Sequence, residues 1–442
     1  MNTSEKPAPF AFSLVLAMGL MLSPESLIIL GNSMGGGGSI FLVFIISSMV
    51  VYLFTALSYA KIHSLYAGPG GESLVIKEAL GVIPAIVLPI CSRVVFTLCV
   101  ATGILATAGY VFNEVFVYWF PNLGFSFCLL GFLLVLNLLN QRISRIVQIV
   151  FVTVAIFGLV VISTVGLLEL GNLSKVGEST GTSSFSVARV ALLSLMLFVG
   201  FDLAGLAGNS EDKNPAQLVR SMVVGIVLVG VVFIIWGLVS FVYVSPERLS
   251  ETTIPHLITA RIILGETGRI IMGIVVVAGT CSAVNVLLIA VSKMIAGMAV
   301  QGFLPSFFGF ARDRAPIPLI ILATGIAAML ALGMAGAPAL EVYMRAGLLF
   351  WLLNYAVVNL SVLIMGRRMH DRSTLLQIPG YPATTIISIL AFLGGFAGLL
   401  WSDNESVLLL KFMLSILVVV SLLSLVWIVL GREKSPADPR MT

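Results

Sequence analysis

This sequence is short of charge. Asp, Glu, Lys and Arg make up only 10% of its 442 residues, 59% are hydrophobic, and the mean hydropathy is +1.11. A soluble domain of that length needs far more charge at its surface, so the composition indicates a polytopic membrane protein. Histidine is scarce as well: His63, His256 and His370 fall at expected membrane edges or in loops and form no ligand constellation. The four cysteines, Cys91, Cys99, Cys128 and Cys281, lie in apolar stretches without a C-x-x-C pair. Their expected role is packing, with no disulfide and no metal. Nucleophile, phosphate and metal motifs are also missing, which argues against an enzyme and gives no reason to expect a cofactor. The net charge of +4 is spread over loops, not gathered in a patch, so no nucleic-acid partner is expected.

What is present in quantity is apolar sequence. Twelve stretches of about 20 residues, each long enough to cross a bilayer, are separated by short polar links. The expected fold is all-α with twelve transmembrane spans. Residues 1–9 lack a cleavage pattern, so the first span is expected to be retained. The links after spans 4, 8 and 10 carry Arg142 and Arg145, Arg312 and Arg314, and Arg367, Arg368 and Arg372, and the tail carries Arg432, Lys434 and Arg440. The opposite links at 31–38 and 120–124 are uncharged, and the one at 402–405 holds Asp403 and Glu405. Positive charge stays on the cytoplasmic side, so both termini are expected in the cytoplasm of a protein of the cytoplasmic membrane.

Two spans are irregular. Span 1, from Phe10 to about Ile29, contains Ser23-Pro24-Glu25-Ser26. Pro24 removes a backbone donor and crowds the preceding turn, while a glutamate at bilayer depth marks a cavity or a partner. A break is expected there, followed by a flexible outer turn at Gly35–Gly38. Span 6, about 188–208, contains Phe198-Val199-Gly200-Phe201-Asp202, with glycine beside a second acid at membrane depth. The two spans lie five apart and start from opposite sides. Interrupted spans at matching positions of two halves point to an inverted repeat with a binding site at the midplane. The expected units are 1–168 and 188–365, with 382–431 peripheral. Half-helix ends at the breaks supply backbone donors and acceptors for a polar solute.

Several motifs in order carry a resemblance. Gly68-Pro69-Gly70-Gly71-Glu72-Ser73 through Gly81, Phe198 to Asp202 followed by Lys213-Asn214-Pro215, Cys281 to Asn285 with Lys293 and then Gln301-Gly302-Phe303-Leu304-Pro305, and Ile378-Pro379-Gly380-Tyr381-Pro382 are similar to signatures of the amino acid–polyamine–organocation superfamily of permeases. The resemblance covers nearly the whole chain. It implies a five-plus-five inverted repeat with spans 1 and 6 broken, and a secondary transporter working by alternating access on a small solute such as an amino acid or amine. A departure accompanies it. The family's first span usually breaks at a glycine-rich turn whose N–H groups bind a carboxylate. Here Pro24 has no N–H, and an ionised Glu25 would repel a carboxylate.

Three accounts of Glu25 therefore stand. It binds a substrate ammonium group, it takes up and releases a proton during transport, or it is a fixed partner of Arg93. The expected pocket comprises Ser23, Glu25 and Ser26 from span 1, with Met196, Phe198, Val199 and Gly200 from span 6. Family spacing adds Val100 and Gly103 of span 3 and Leu287 of span 8. Glu25, Arg93, Asp202 and Ser282 are the coupling or gating candidates. Asp202 is expected to tie span 6 to its neighbours more than to touch solute. Sodium-coupled relatives hold the ion between spans 1 and 8 with hydroxyls, for which Thr280 and Ser282 are the candidates here. A hydroxyl on a membrane helix also bonds its own backbone. Proton coupling or exchange is favoured over Na⁺. A passive pore, which broken helices also build, is the rival class.

Overall fold

The computed structural model describes residues 10–66, 68–139, 141–169, 186–207, 215–311, 314–333, 338–368, 380–402 and 406–431. Lys213, Asn214, Arg312, His370, Arg372, Ile378, Pro379, Asp403, Glu405 and the tail after 431 lie outside the described residues. The chain runs as α1 (Phe10–Gly19), α2 (Pro24–Gly37), α3 (Ile40–Leu65), α4 (Gly71–Leu80), α5 (Val82–Pro89), α6 (Phe96–Val115), α7 (Asn122–Leu139), α8 (Gln141–Glu169) and α9 (Val187–Met196). It continues as α10 (Leu203–Ala207), α11 (Pro215–Tyr243), α12 (Pro246–Glu251), α13 (Pro255–Val300), α14 (Pro316–Ala331), α15 (Pro338–Arg368), α16 (Ala383–Ser402) and α17 (Ser406–Gly431). Among the described residues, eight helical segments are long and apolar enough to cross a membrane singly, and α1 with α2 makes a ninth span bent by 54°. Shorter apolar helices are α9, α14 and the first part of α16.

Burial sorts these helices. In its most apolar stretch α13 is 83% buried, and it packs against α8, α6, α10 and α14, so it is the central post. The same measure for α17 is 11%, which leaves Val418, Leu422, Leu423 and Val429 to face lipid. Cys91, Cys99 and Cys281 are buried, while Cys128 is exposed, so its packing partner is lipid rather than protein.

Three local features differ from the sequence expectation. The glycine run after span 1 is helical: α2 continues to Gly37, and Gly38 (φ 59°) closes it. The reason is close packing. A Cβ on Gly31 would lie 2.5 Å from Pro255, and one on Gly35 would lie 2.5 Å from the Pro246 carbonyl oxygen, so only hydrogen fits where α2 meets α12 and α13. Span 8 starts earlier than expected, at Pro255, with a left-handed turn at Gly265 (φ 60°) before the long central helix. His63 and His256 are buried rather than at solvated edges.

Span 3 is continuous but not uniformly α-helical. Directly after Pro89, which has no N–H to give, residues Ile90–Val95 form a π-helical turn. Such wide turns absorb a break in the hydrogen-bond ladder and occur often at functional positions. The turn carries Arg93, fully buried.

Candidate functional site

The first break is a helix start. Ser23 has extended backbone (φ −66°, ψ 155°), its Oγ accepts from the Ser26 N–H at 3.4 Å, and Pro24 occupies the first helical position. Serine as cap, proline at the first position and an acid in the first turn are the ordinary chemistry of a helix N-terminus. Pro24 therefore does not kink one helix; it begins a second one. The chain between α1 and α2 is held by Leu22 N–H to the Met18 carbonyl and Ser23 N–H to the Leu20 carbonyl.

The second break spans Leu197 to Asp202, between α9 and α10. Gly200 has φ 101°, a value that side chains disfavour. Its N–H donates to the Tyr355 hydroxyl at 3.2 Å. A Cβ here would stand 2.6 Å from Leu20 Cδ2, so the two breaks touch at Leu20 and Gly200. The central post closes on them too: a Cβ on Gly279 would lie 2.4 Å from the Leu22 carbonyl oxygen.

Beside this contact is a small cavity of about 50 Å³, lined by Ser23, Glu25, Ser26, Met196, Val199 and Val100, with Leu20, Ile29, Phe96, Met344 and Leu348 completing the wall. Space of that size holds a few waters or a small solute group. Glu25 is the one ionisable residue of the wall, half-buried, with Oε1 accepting from Thr107 Oγ1 of α6 at 3.3 Å.

Four residues expected in the pocket lie elsewhere. Phe198 points away, into an aromatic cluster with Tyr52 (centroids 5.6 Å) and Phe233 (6.5 Å). Gly200 acts through its backbone turn and is not in the wall. Gly103 packs against Met344, where a Cβ would meet Sδ at 2.5 Å, and so sets how close α15 comes behind the cavity. Leu287 is fully buried in the core of α13. Conversely, Leu20, Ile29, Phe96, Met344 and Leu348 line the cavity without having been expected there. Phe96 and Val100, and likewise Met344 and Leu348, are spaced i,i+4 on single helix faces, but nothing in span 10 marked it as part of the site.

Arg93 belongs to Asp202 and Glu72, not to Glu25, which corrects the fixed-partner account. Its Nη2 lies 2.6 Å from Asp202 Oδ2 and 3.4 Å from Glu72 Oε2, all three side chains being buried. The guanidinium carbon sits 3.9 Å from the centroid of the Trp351 ring. The carboxylates are further satisfied: the Tyr355 hydroxyl donates to Asp202 Oδ1, the Tyr59 hydroxyl donates to Glu72 Oε2 at 3.1 Å, and the Asn354 amide donates to Glu72 Oε1. Buried charge persists only when paired and hydrogen-bonded in this way. The cluster pins span 6, through Asp202, to spans 3 and 10 and to α4. Glu72 carried no role in the sequence reading, although it sits in the quoted Gly-rich link.

Ser282 is also engaged. Its Oγ donates to the Gly19 carbonyl at 3.3 Å and accepts from Gln148 Nε2 at 2.9 Å. The chain of bonds continues from Gln148 to Asn285, which donates to Gln148 Oε1 at 2.8 Å, and to Asn137, which donates to Asn285 Oδ1 at 2.7 Å. An amide nitrogen of α8 thus bonds the α13 hydroxyl that reaches the end of α1. Thr280, the other hydroxyl candidate, is buried without a hydrogen-bond partner among the described residues.

A family model described as amino acid permease matches residues 10–422. The L-asparagine permease of Streptomyces coelicolor is 23% identical over 308 residues, covering 64% of this chain and 62% of that protein. Asc-type amino acid transporter 1 of Mus musculus is 22% identical over 334 residues, 72% of this chain and 62% of that one. The chain thus spans 62% of the length of the curated relatives it matches. Among solved structures, a manganese transporter of Eremococcus coleocola, bound to an aromatic bis-isothiourea compound, aligns over 98% of both chains with a TM-score of 0.62 and 14% identity. At that identity the likeness speaks for the fold alone.

Proposed function

The chain belongs to the amino acid permease family, and from that premise we propose a secondary active transporter that moves an amino acid or related amine across the cytoplasmic membrane. In this reading the twelve spans form two inverted repeats, 1–168 and 188–365, with 382–431 outside them and both termini in the cytoplasm. Access alternates around the paired breaks. The observation that carries the proposal is the contact of the two breaks at Leu20 and Gly200, beside a cavity whose polar groups, Ser23, Glu25 and Ser26, all come from the restarted helix α2. Glu25, as the one ionisable wall residue, is assigned the ammonium group of the solute, and the apolar wall of Val100, Met196, Val199 and Met344 its side chain. The names of the two relatives, an asparagine permease and an amino acid transporter, support that substrate class.

One observation favours a proton or simple exchange over Na⁺: the Ser282 hydroxyl, a candidate oxygen for an ion between α1 and α13, already donates to the Gly19 carbonyl and accepts from the Gln148 amide. The test is counterflow in proteoliposomes. Preloaded unlabelled amino acid should drive uptake of labelled solute, with or without Na⁺, and saturably. Unsaturable flux without counterflow would instead assign the protein to the passive channels.

A further inference from the structure

Five side chains form one hydrogen-bonded line that ends on the Gly19 carbonyl. Ser144 Oγ donates to Asn137 Oδ1 at 2.8 Å, Asn137 Nδ2 to Asn285 Oδ1 at 2.7 Å, and Asn285 Nδ2 to Gln148 Oε1 at 2.8 Å. Gln148 Nε2 donates to Ser282 Oγ at 2.9 Å, and Ser282 Oγ to Gly19 at 3.3 Å. Every donor points the same way, toward the end of α1. Backbone carbonyls, which only accept, fix that direction: Asn137 Nδ2 also donates to the Leu133 carbonyl at 2.8 Å, and Gln148 Nε2 to the Ser282 carbonyl at 3.4 Å. Gln148, Ser282 and Asn285 are fully buried, where aligned bonds reinforce one another. Gly19 is the last residue of α1, and its carbonyl is one of the end groups that a helix leaves without a partner of its own. A Cβ on Gly19 would stand 2.9 Å from Gln148 Nε2 and 3.0 Å from Ser282 Oγ, so α1 ends directly on this pair. Just beyond, the chain bends by 54° into α2, which brings Ser23 and Glu25 to the cavity wall.

We propose that Gln148 and Asn285 are positioning residues for transport: acting through Ser282, they hold the end of α1 and so set the geometry of the first break. This rests on the transporter reading above. The hold depends on the direction of the line as well as on its packing, because Ser282 gives its one O–H to Gly19 while Gln148 supplies the N–H that Ser282 accepts. A carboxyl group in place of either amide makes that dependence measurable. Ionised, it only accepts, so the bonds beyond it reverse and Ser282 turns away from the Gly19 carbonyl. Protonated, its O–H donates as the amide did, and the line is restored. The elements of the line bring few other charges. Described residues of α1 and α7 include no charged side chain, Arg145 of α8 lies about one turn from Gln148, and Lys293 of α13 lies about two turns from Asn285. Arg220 is the charged residue of α11, which packs on α1 and α8. All three cations are present in the wild type too, so comparison at equal pH isolates the new carboxyl group.

The experiment compares the full chain carrying Gln148→Glu with the wild type from about pH 5 to about pH 9, by hydrogen exchange of α1 and by counterflow in proteoliposomes. At acid pH the variant should approach the wild type in both. As the pH rises, its α1 should exchange about tenfold faster than that of the wild type and counterflow should fall by a similar factor, the worth of one hydrogen bond. Asn285→Asp should repeat this profile and is the second variant should the first fail to accumulate. A variant that matches the wild type at every pH overturns the proposal. So does faster exchange spread equally over α1 and the outlying α17, or a loosened α1 with counterflow unchanged, since either leaves the line an ordinary packing contact. The two readings fail separately. A wild type without counterflow would unseat the transport reading, while exchange of α1 would still decide whether the line holds it.

Discussion

Glu25 and Asp202 are both acids at the breaks of their spans, yet the protein treats them oppositely. Asp202 is fully buried and held by a guanidinium at 2.6 Å and a tyrosine hydroxyl. Glu25 is half-buried in a cavity wall, where Thr107 donates to it. The difference follows from what each break needs. The turn at the second break is held from outside, by Tyr355 bridging the Gly200 N–H and Asp202. The first break caps itself through Ser23, which leaves its acid to face the cavity. Asp202 is thus an architectural acid, while the task proposed for Glu25 is the solute.

The comparison breaks most sharply at Asp202. Asp202→Asn breaks the 2.6 Å pair with Arg93 while Glu72 at 3.4 Å still compensates the guanidinium, so the cost should be that of a charge-assisted hydrogen bond, about 1.5–3 kcal/mol. A thermal melt should show that loss of stability, with transport falling in proportion to the folded fraction. If Asp202→Asn melts like the wild type and only transport suffers, the two acids have been assigned the wrong way round.

Glu25→Gln should do the reverse. The folded protein should lose less stability than Asp202→Asn does, because Gln keeps an oxygen for Thr107 and the site is half-buried. Solute binding should weaken by about ten- to a hundredfold, the range of one charge-assisted hydrogen bond of about 1.5–3 kcal/mol. The weakening should hold at every pH tested. Binding that is kept while the pH dependence of transport disappears would move Glu25 to the proton-carrying account.

The breaks can be compared in the same way. Gly200→Ala places a side chain at φ 101° and a Cβ 2.6 Å from Leu20, so it should cost about 1–3 kcal/mol and impair transport. Adding Leu20→Ala should relieve the clash but not the dihedral strain, so stability should recover in part. Full recovery would mean that the left-handed turn is not required.

How legible this was in the sequence depends on the range of each interaction. The apolar spans and the two irregular positions were readable because bilayer thickness and proline chemistry are local rules acting within one segment. Ser23, Glu25 and Ser26 line the cavity beside that proline break, Val199 follows from the glycine next to it, and Met196 and Val100 follow from family spacing. What failed was long-range pairing. Pairing Arg93 with Glu25, one of three accounts of that acid, rests on Arg93 being the one basic residue in the interior half of spans 1–5, whereas its partners Glu72 and Asp202 are 21 and 109 residues away along the chain and are chosen by packing of α4 and α10. Phe198 was placed in the pocket by its neighbours, but the turn at Gly200 rotates it into the aromatic cluster around Tyr52. The glycine run at 35–37 was read as a loop because glycine is a poor helix former, a weak preference that close contact with α12 overrides.

Ser23→Ala gives the smallest effect and the finest distinction. The sequence reading treated Pro24 as the cause of the break, whereas the structure makes Ser23 the cap and Pro24 the first residue of a new helix. If the cap matters, losing the Ser23 hydroxyl should cost about 1 kcal/mol, the usual value for an N-cap serine. Ser23→Asp should restore stability, since aspartate caps equally well, but should place a second negative charge in the cavity wall beside Glu25. Stability and binding would then separate. Ser23→Ala should melt earlier with solute affinity lowered only modestly. Ser23→Asp should melt normally with affinity for an ammonium-bearing solute kept or raised and affinity for a simple carboxylate reduced. Equal melting of Ser23→Ala and the wild type would instead show that proline alone starts α2, and the contrast between a self-capped and an externally held break would not stand.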